Sequence, residues 1–204
     1  MTLVVDDLPL LMALRVQGVA PAERVAAAMD RHSEATTARL AALCADELAV
    51  ERTGRVAGYS LTKDGSEALS RLLGAEGLCA HDALTECYER FLGLNKRVLE
   101  VSSDWQVRRD GRVEVANDHS DPDYDGCVID QLAELHDAAR VCLSKITACA
   151  PRFAPYKARL DRCVERLFEG DRSAFTLPLA ESYHTVWFEL HQDLLLTLGL
   201  EREE

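Results

Sequence analysis

The sequence predicts a mainly α-helical chain in two parts: an N-terminal unit of three helices and a two-stranded hairpin, then an all-helical bundle. Three observations carry this. Short apolar helical stretches occupy residues 8–45, the first stopped by Gly18 and the second started by Pro21; a strand-like segment with two glycines, Gly54 and Gly58, follows; and beyond residue 80 apolar residues recur every three or four positions over long runs. With 204 residues, 48% of them hydrophobic and 6% aromatic, the chain can bury two small cores. The boundary is expected at residue 76, giving parts 1–76 and 77–204.

Residues Leu8 to Gln17 read as a helix stopped by Gly18. Pro21 suits the first position of a second helix, with Val25, Ala26 and Met29 turned inward. Ser33 is expected to cap a third, with Leu40, Leu43 and Cys44 inside and Glu34, Thr36, Thr37 and Arg39 outside. Leu48 and Val50 then alternate as the inward face of a strand, and Tyr59 and Leu61 as that of its returning partner, so the hairpin carries Arg52 and Arg55 near its tip. Thr62 caps a fourth helix whose stripe is Ala68, Leu69, Leu72 and Leu73.

Two helices joined by a tight polar turn, the second presenting short hydroxyls and a cation at its start, is the arrangement that lays a helix in the major groove. The N-terminal part therefore reads as a winged helix-turn-helix. Over residues 8–75 it resembles the MarR type of winged-helix regulator and its relatives, through Arg52, Gly54, Arg55, Gly58, Tyr59, and the Leu61-Thr62-x-x-Gly65 junction. The chain departs from that pattern in carrying Asp46-Glu47 where a glycine is usual, and in lacking the leading helix that builds the MarR dimer. The resemblance implies a homodimeric transcriptional regulator of double-stranded DNA. Ser33, Thr36, Thr37 and Arg39 would form the recognition face, with Arg52 and Arg55 on flanking phosphate or minor groove.

Charge bears on that expectation. The net charge is −12: residues 1–76 hold 8 Lys and Arg against 11 Asp and Glu, and the rest hold 15 against 24. Phosphate neutralisation supplies most non-specific affinity, so the few cations must share one face for DNA to bind. Cations gathered around the third helix and wing favour DNA. An even spread favours the competing reading, an adaptor that uses the winged domain for protein contacts.

In the second part, Leu84, Cys87, Phe91, Leu94, Val98, Val101 and Trp105 form a heptad seam on a helix expected from Ala80 to Gln106. Further helices are expected over residues 128–148, 156–168 and 177–198. The seam or the last helix would supply the dimer contact. On that last helix, one face is Leu179, Tyr183, Val186, Trp187, Leu190 and Leu194, and a second holds His184, Phe188, His191 and Leu195. Between the first two helices, Asp110-Gly111 suggests a small hairpin, and residues 117–125 are crowded with polar ligating groups, which suit either a metal or polar ligand or a solvated loop ending in an N-cap at Asp123 or Asp125.

Trp105, Gln106, Asn117, His119, Tyr183, His184 and Trp187 combine aromatic surface with hydrogen-bonding heads, which is the make-up of a pocket for a small polar effector. The stretches Asp104-Trp-Gln106, Asn117-Asp-His-Ser-Asp-Pro122 and Ser182 to His191 also resemble helical segments that accompany winged helices in bacterial proteins encoded with, or fused to, pyruvate phosphate dikinase-like enzymes. That likeness implies a regulatory or small-metabolite role and transfers no catalytic residue. No G-x-S-x-G, phosphate-cradling glycine loop, H-E-x-x-H or dinucleotide fingerprint is present, so catalysis, cofactor and metal are not expected. No apolar run is long enough to span a bilayer, and seven scattered cysteines form no C-x-x-C pair. With two early acids and no basic leader, a soluble cytoplasmic protein with reduced thiols is expected.

Overall fold

A computed structural model describes residues 7–76, 81–110, 113–177 and 180–201. The chain is mainly helical, with two antiparallel strand pairs, and divides into two compact units: residues 1–81 with 189–204, and residues 82–188. The expected two-part plan has its first boundary near residue 76, but the last helix is shared, its second half belonging to the first unit.

The first unit opens with α1 (Leu8–Gln17), buried at Leu8 and Leu10 to Leu14 and closed by Gly18, whose N–H bonds the Leu14 carbonyl at 3.0 Å. Helix α2 (Ala22–Ala28) follows Pro21, which stands one residue before the helix and not inside it, and buries Val25 and Ala26. Helix α3 (Ser33–Ala45) starts at Ser33 itself with no side-chain cap, and buries Leu40 and Leu43 completely.

Strands β1 (Ala49–Arg52) and β2 (Gly58–Leu61) pair antiparallel, Ala49 opposite Leu61 and Arg52 opposite Gly58. Leu48 packs partly against the core as expected, but within the strand the inward residue is Ala49, 3% exposed, and Val50 is 39% exposed. On β2, Tyr59 and Leu61 pack against the core as expected, while Ser60, opposite Val50 on the other face, is covered by Arg52, whose Nε donates to its Oγ at 2.8 Å. On its other edge β2 meets Ala20: Tyr59 N–H donates to Ala20 O at 2.8 Å and Ala20 N–H to Tyr59 O at 3.1 Å. A side chain at Gly58 (φ +143°) would sit 2.4 Å from the Ala20 carbonyl carbon, so this close approach requires glycine.

Helix α4 (Lys63–Glu76) begins at a tightly packed corner. Thr62 Oγ accepts the Gly65 N–H at 3.0 Å and donates to Glu47 O at 2.7 Å, while Thr62 N–H donates to Leu48 O. A Cβ on Gly65 would fall 1.9 Å from that Leu48 oxygen. The Leu-Thr-x-x-Gly junction is thus dictated by packing of the helix start against the strand entry.

The second unit is built on α5 (His81–Gln106) and α6 (Pro122–Cys149), with the hairpin β3 (Val107–Asp110) and β4 (Val113–Ala116) between them. Ala80 and Gly111 of the expected helix start and turn lie outside the described residues. A 3₁₀ turn at Pro151–Phe153 leads to α7 (Ala154–Phe168), which packs along α6, then to the single turn α8 (Ser173–Thr176) and α9 (Tyr183–Leu198). The last helix therefore starts six residues later than expected, and Leu179 lies outside the described residues.

Asp121 caps α6, accepting Tyr124 N–H at 3.1 Å, in place of Asp123 or Asp125. The expected seam is present but occupied: Leu84, Cys87, Phe91, Val98, Val101 and Trp105 are at most 8% exposed within the single chain. Tyr183, Val186, Trp187, Leu190 and Leu194 of α9 are also buried within the single chain, while Phe188 on its second face is 41% exposed.

Candidate functional site

On α3, the four expected recognition residues separate. Ser33 and Thr37 are exposed; Thr36 is 4% exposed, with its hydroxyl donating back to His32 O at 3.0 Å, so it belongs to the core and not to a DNA face. Thr37 Oγ donates to Ser33 O at 2.9 Å and keeps its lone pairs outward. Arg39 is half-buried and engaged: Nε and Nη2 donate to the two oxygens of Asp7 at 2.6 and 2.5 Å. This fork-to-fork pair raises the Arg39 pKa through the Asp7 hydrogen bonds, and it removes the side chain from the set free to read bases.

What remains outward on α3 is a face of small residues, Ser33, Thr37, Ala38 and Ala41, with Glu34 at its start. Arg52 and Arg55 stand exposed on the hairpin, joined by Arg31 just before α3. Exposed acids match them, Glu34, Asp46, Glu47 and Glu51 against these three arginines over residues 31–57, so the cations are not concentrated.

In the second unit, Trp105, Asn117 and His119 do come together, around the buried carboxylate of Asp125. Asn117 Nδ2 donates to Asp125 Oδ1 at 2.9 Å and to Trp105 O at 3.0 Å, and Asn117 Oδ1 accepts His119 N–H at 3.2 Å. That turn holds His119 at φ +59°, in the left-handed region. With its Nδ1–H directed to Asp125 at 3.0 Å, the imidazole lies 4.4 Å from the Trp105 ring, which stacks on Phe175 at 4.5 Å. Arg172 completes the shell, 3.3 Å from Asp125 and 3.2 Å from His119 O. Burial pushes the Asp125 pKa up, but the bonds from Asn117 and His119 and the charge of Arg172 outweigh it and leave it below the ordinary carboxylate range.

Chemically this cluster is a staple. Both Asn117 amide hydrogens are spent inside the protein, so the expected ligand contact there is lost. The imidazole is oriented by these bonds, with no adjoining nucleophile among the bonds that define the cluster. Gln106 is exposed and contributes its carbonyl to Asn117 N–H at 2.8 Å.

Tyr183 and Trp187 belong to a different aromatic file. Their rings stack at 6.1 Å, Trp187 stacks on Phe91 at 4.7 Å, and its Nε1–H donates to Asn95 Oδ1 at 3.0 Å. The Tyr183 hydroxyl lies 3.4 Å from His136 Nδ1, and His136 Nε2 meets Asp161 at 2.8 Å. Burial drives the His136 pKa below its ordinary value in spite of Asp161. His184 is half-buried on α9. The seven-residue pocket thus divides between two side-chain groups, and among the described residues no group of three His, Cys, Asp or Glu is placed to hold a metal.

No protein-family model, curated protein or solved structure matches the chain. Its chemistry must be read from its own residues. Asp7, Arg172 and Asn95 were not anticipated from sequence, because each acts on a partner brought close only by folding, and Asp125 was read only as a possible cap. The spacing of Asn117, His119 and Asp125 within one short polar run was the single local signal.

Proposed function

We propose that the chain is a DNA-binding transcriptional regulator whose first unit acts as a winged helix-turn-helix of the MarR kind. The observation that carries this is one arrangement: α3 exposes a face of small residues, and the β1–β2 hairpin beside it in sequence, pinned by the Ala20–Tyr59 bridge, carries Arg52 and Arg55 outward. A small-residue face admits close approach to base edges, with Ser33 and Thr37 as hydrogen-bonding heads and alanines for thymine methyl groups. The arginines supply the phosphate or minor-groove grip. Dimerisation on a pseudo-palindromic site would use surface other than the buried seams of α5 and α9.

A second reading is favoured by a specific observation. Arg39 is held by Asp7, and acids balance arginines across the face, which suits a protein partner better than a phosphate backbone. On that reading the unit is an adaptor that regulates a partner enzyme. Selection of bound fragments from genomic DNA, at low and at physiological salt, separates the two. Enrichment of a shared sequence that persists at physiological salt supports the regulator; no enrichment at either salt supports the adaptor.

A further inference from the structure

We propose that a groove in the first unit, formed by the end of α1, one side of α4 and the last turn of α9, binds an amphipathic monocarboxylate: an alkyl chain with a single anionic head. This goes beyond the DNA-binding reading and does not depend on it. The groove encloses about 570 Å³, within the range of small-molecule sites. Its floor is apolar, from Leu69, Leu73 and Leu198, each nearly buried, with Leu196 beside them.

The polar lining decides the ligand's charge. Ser66 donates its hydroxyl hydrogen to Thr62 O at 2.9 Å, Ser70 to Ser66 O at 3.0 Å, and Thr197 to Asp193 O at 2.7 Å. These three hydroxyls therefore turn lone pairs, not hydrogens, toward the groove, and they disfavour a ligand with several anionic oxygens. Arg15, exposed in the last turn of α1, supplies a permanent cation with fork geometry suited to a carboxylate. One anionic head at Arg15, with an apolar tail over the leucines, matches the permanent cation and the apolar floor; His81 completes the lining.

Gly74 is a second, independent observation. It stands in the last turn of α4 and lines the groove, although glycine has a lower helix propensity than alanine. A Cβ added to it would meet nothing within 4 Å, so no packing or backbone conformation requires glycine. What its missing side chain does is keep the space above the leucines open. An alkyl chain of about six to ten carbons matches a groove of this size.

The test uses the full chain, with sodium octanoate as probe and octylammonium, octanol and inorganic phosphate as comparators, read by calorimetric titration and by thermal unfolding. Octanoate is expected to bind saturably and raise the Tm, with octylammonium and phosphate without effect and octanol weaker by about tenfold, the worth of one charge-assisted contact. Arg15→Gln should bring octanoate down to the affinity of octanol. Gly74→Leu should raise the Tm of the unliganded protein and abolish the octanoate response. Absence of saturable octanoate binding, equal binding of octylammonium, or unchanged octanoate affinity in both variants would each overturn the proposal. Arg15→Gln carries the test alone if Gly74→Leu does not fold.

Discussion

Asp7 and Arg39, thirty-two positions apart, form a two-bond ion pair in which the carboxylate is buried and the guanidinium lies half-covered beside α3. A cation that the sequence assigns to a DNA face thereby becomes a clamp between the start of α1 and α3. Because the acid is 1% exposed, removing its partner leaves a charge in a poorly solvated place. Arg39→Ala is expected to lower stability by roughly 2–3 kcal/mol, read by urea unfolding, and to change DNA affinity of the folded protein little. A large loss of affinity at unchanged stability would return Arg39 to the recognition face.

The hairpin arginines should behave in the opposite way. Both are exposed and, among the described residues, only the Arg52–Ser60 hydrogen bond is lost, worth about 1 kcal/mol, so Arg52→Ala with Arg55→Ala is expected to lower the Tm by no more than a few degrees while nearly abolishing DNA binding. If each contacts one phosphate, the slope of log affinity against log salt should fall by about 1.8. Fluorescence polarisation across a salt series measures both quantities, and an unchanged slope would remove the hairpin from the interface.

The staple around Asp125 predicts a pH dependence. The folded carboxyl titrates below its ordinary value, so the unfolded chain binds the proton more readily in acid. Its stabilising contribution is complete above the unfolded carboxylate pKa of about 4 and is lost as pH falls through the lower folded value. Asp125→Asn should therefore destabilise the protein by about 2 kcal/mol at pH 7, with the gap to wild type closing towards pH 3. Chemical unfolding at several pH values tests this; a gap independent of pH would mean that the carboxylate charge plays no part.

Thiol reactivity should follow burial. Cys127 is exposed on α6, whereas burial raises Cys142 to about 11 and Cys163 to about 12. Thiolate is the reactive form, so in the native protein a maleimide should label Cys127 well before Cys142 or Cys163. Peptide mapping after a short pulse reads the order, and early labelling of Cys163 would show that α7 opens readily.

The fold was legible where one residue type has one physical use. Gly18, Gly58, Thr62 and Gly65 mark their turns and caps because their geometry excludes alternatives, and the α5 seam follows from spacing alone. The phase of β1 was not legible: Val50 is more apolar than Ala49, yet Ala49 is the residue buried against the core. The site was legible only in part. Periodicity placed Thr36 outward on a helix so short of bulky residues that a one-position rotation went unmarked, and it could not show that Asp7 would claim Arg39. Aromatic and polar residues with the make-up of a pocket proved to be two groups, because side chains that stack within a core and side chains that line a cavity share the same composition.

The leucines that close the groove come from the last turn of α9, separated from the rest of the first unit by the 107 residues of the second. On a ribosome, α1 to α4 emerge long before that turn does. At ordinary elongation rates the interval is roughly 5–20 s, far longer than helices and hairpins need to form. The nascent N-terminal segment must wait through that interval with the surface that Leu196 later covers still open to solvent. A stop codon placed ahead of Glu189 would therefore damage the part of the protein made first, and chaperones that hold apolar surface would meet this chain at its beginning on account of residues at its far end.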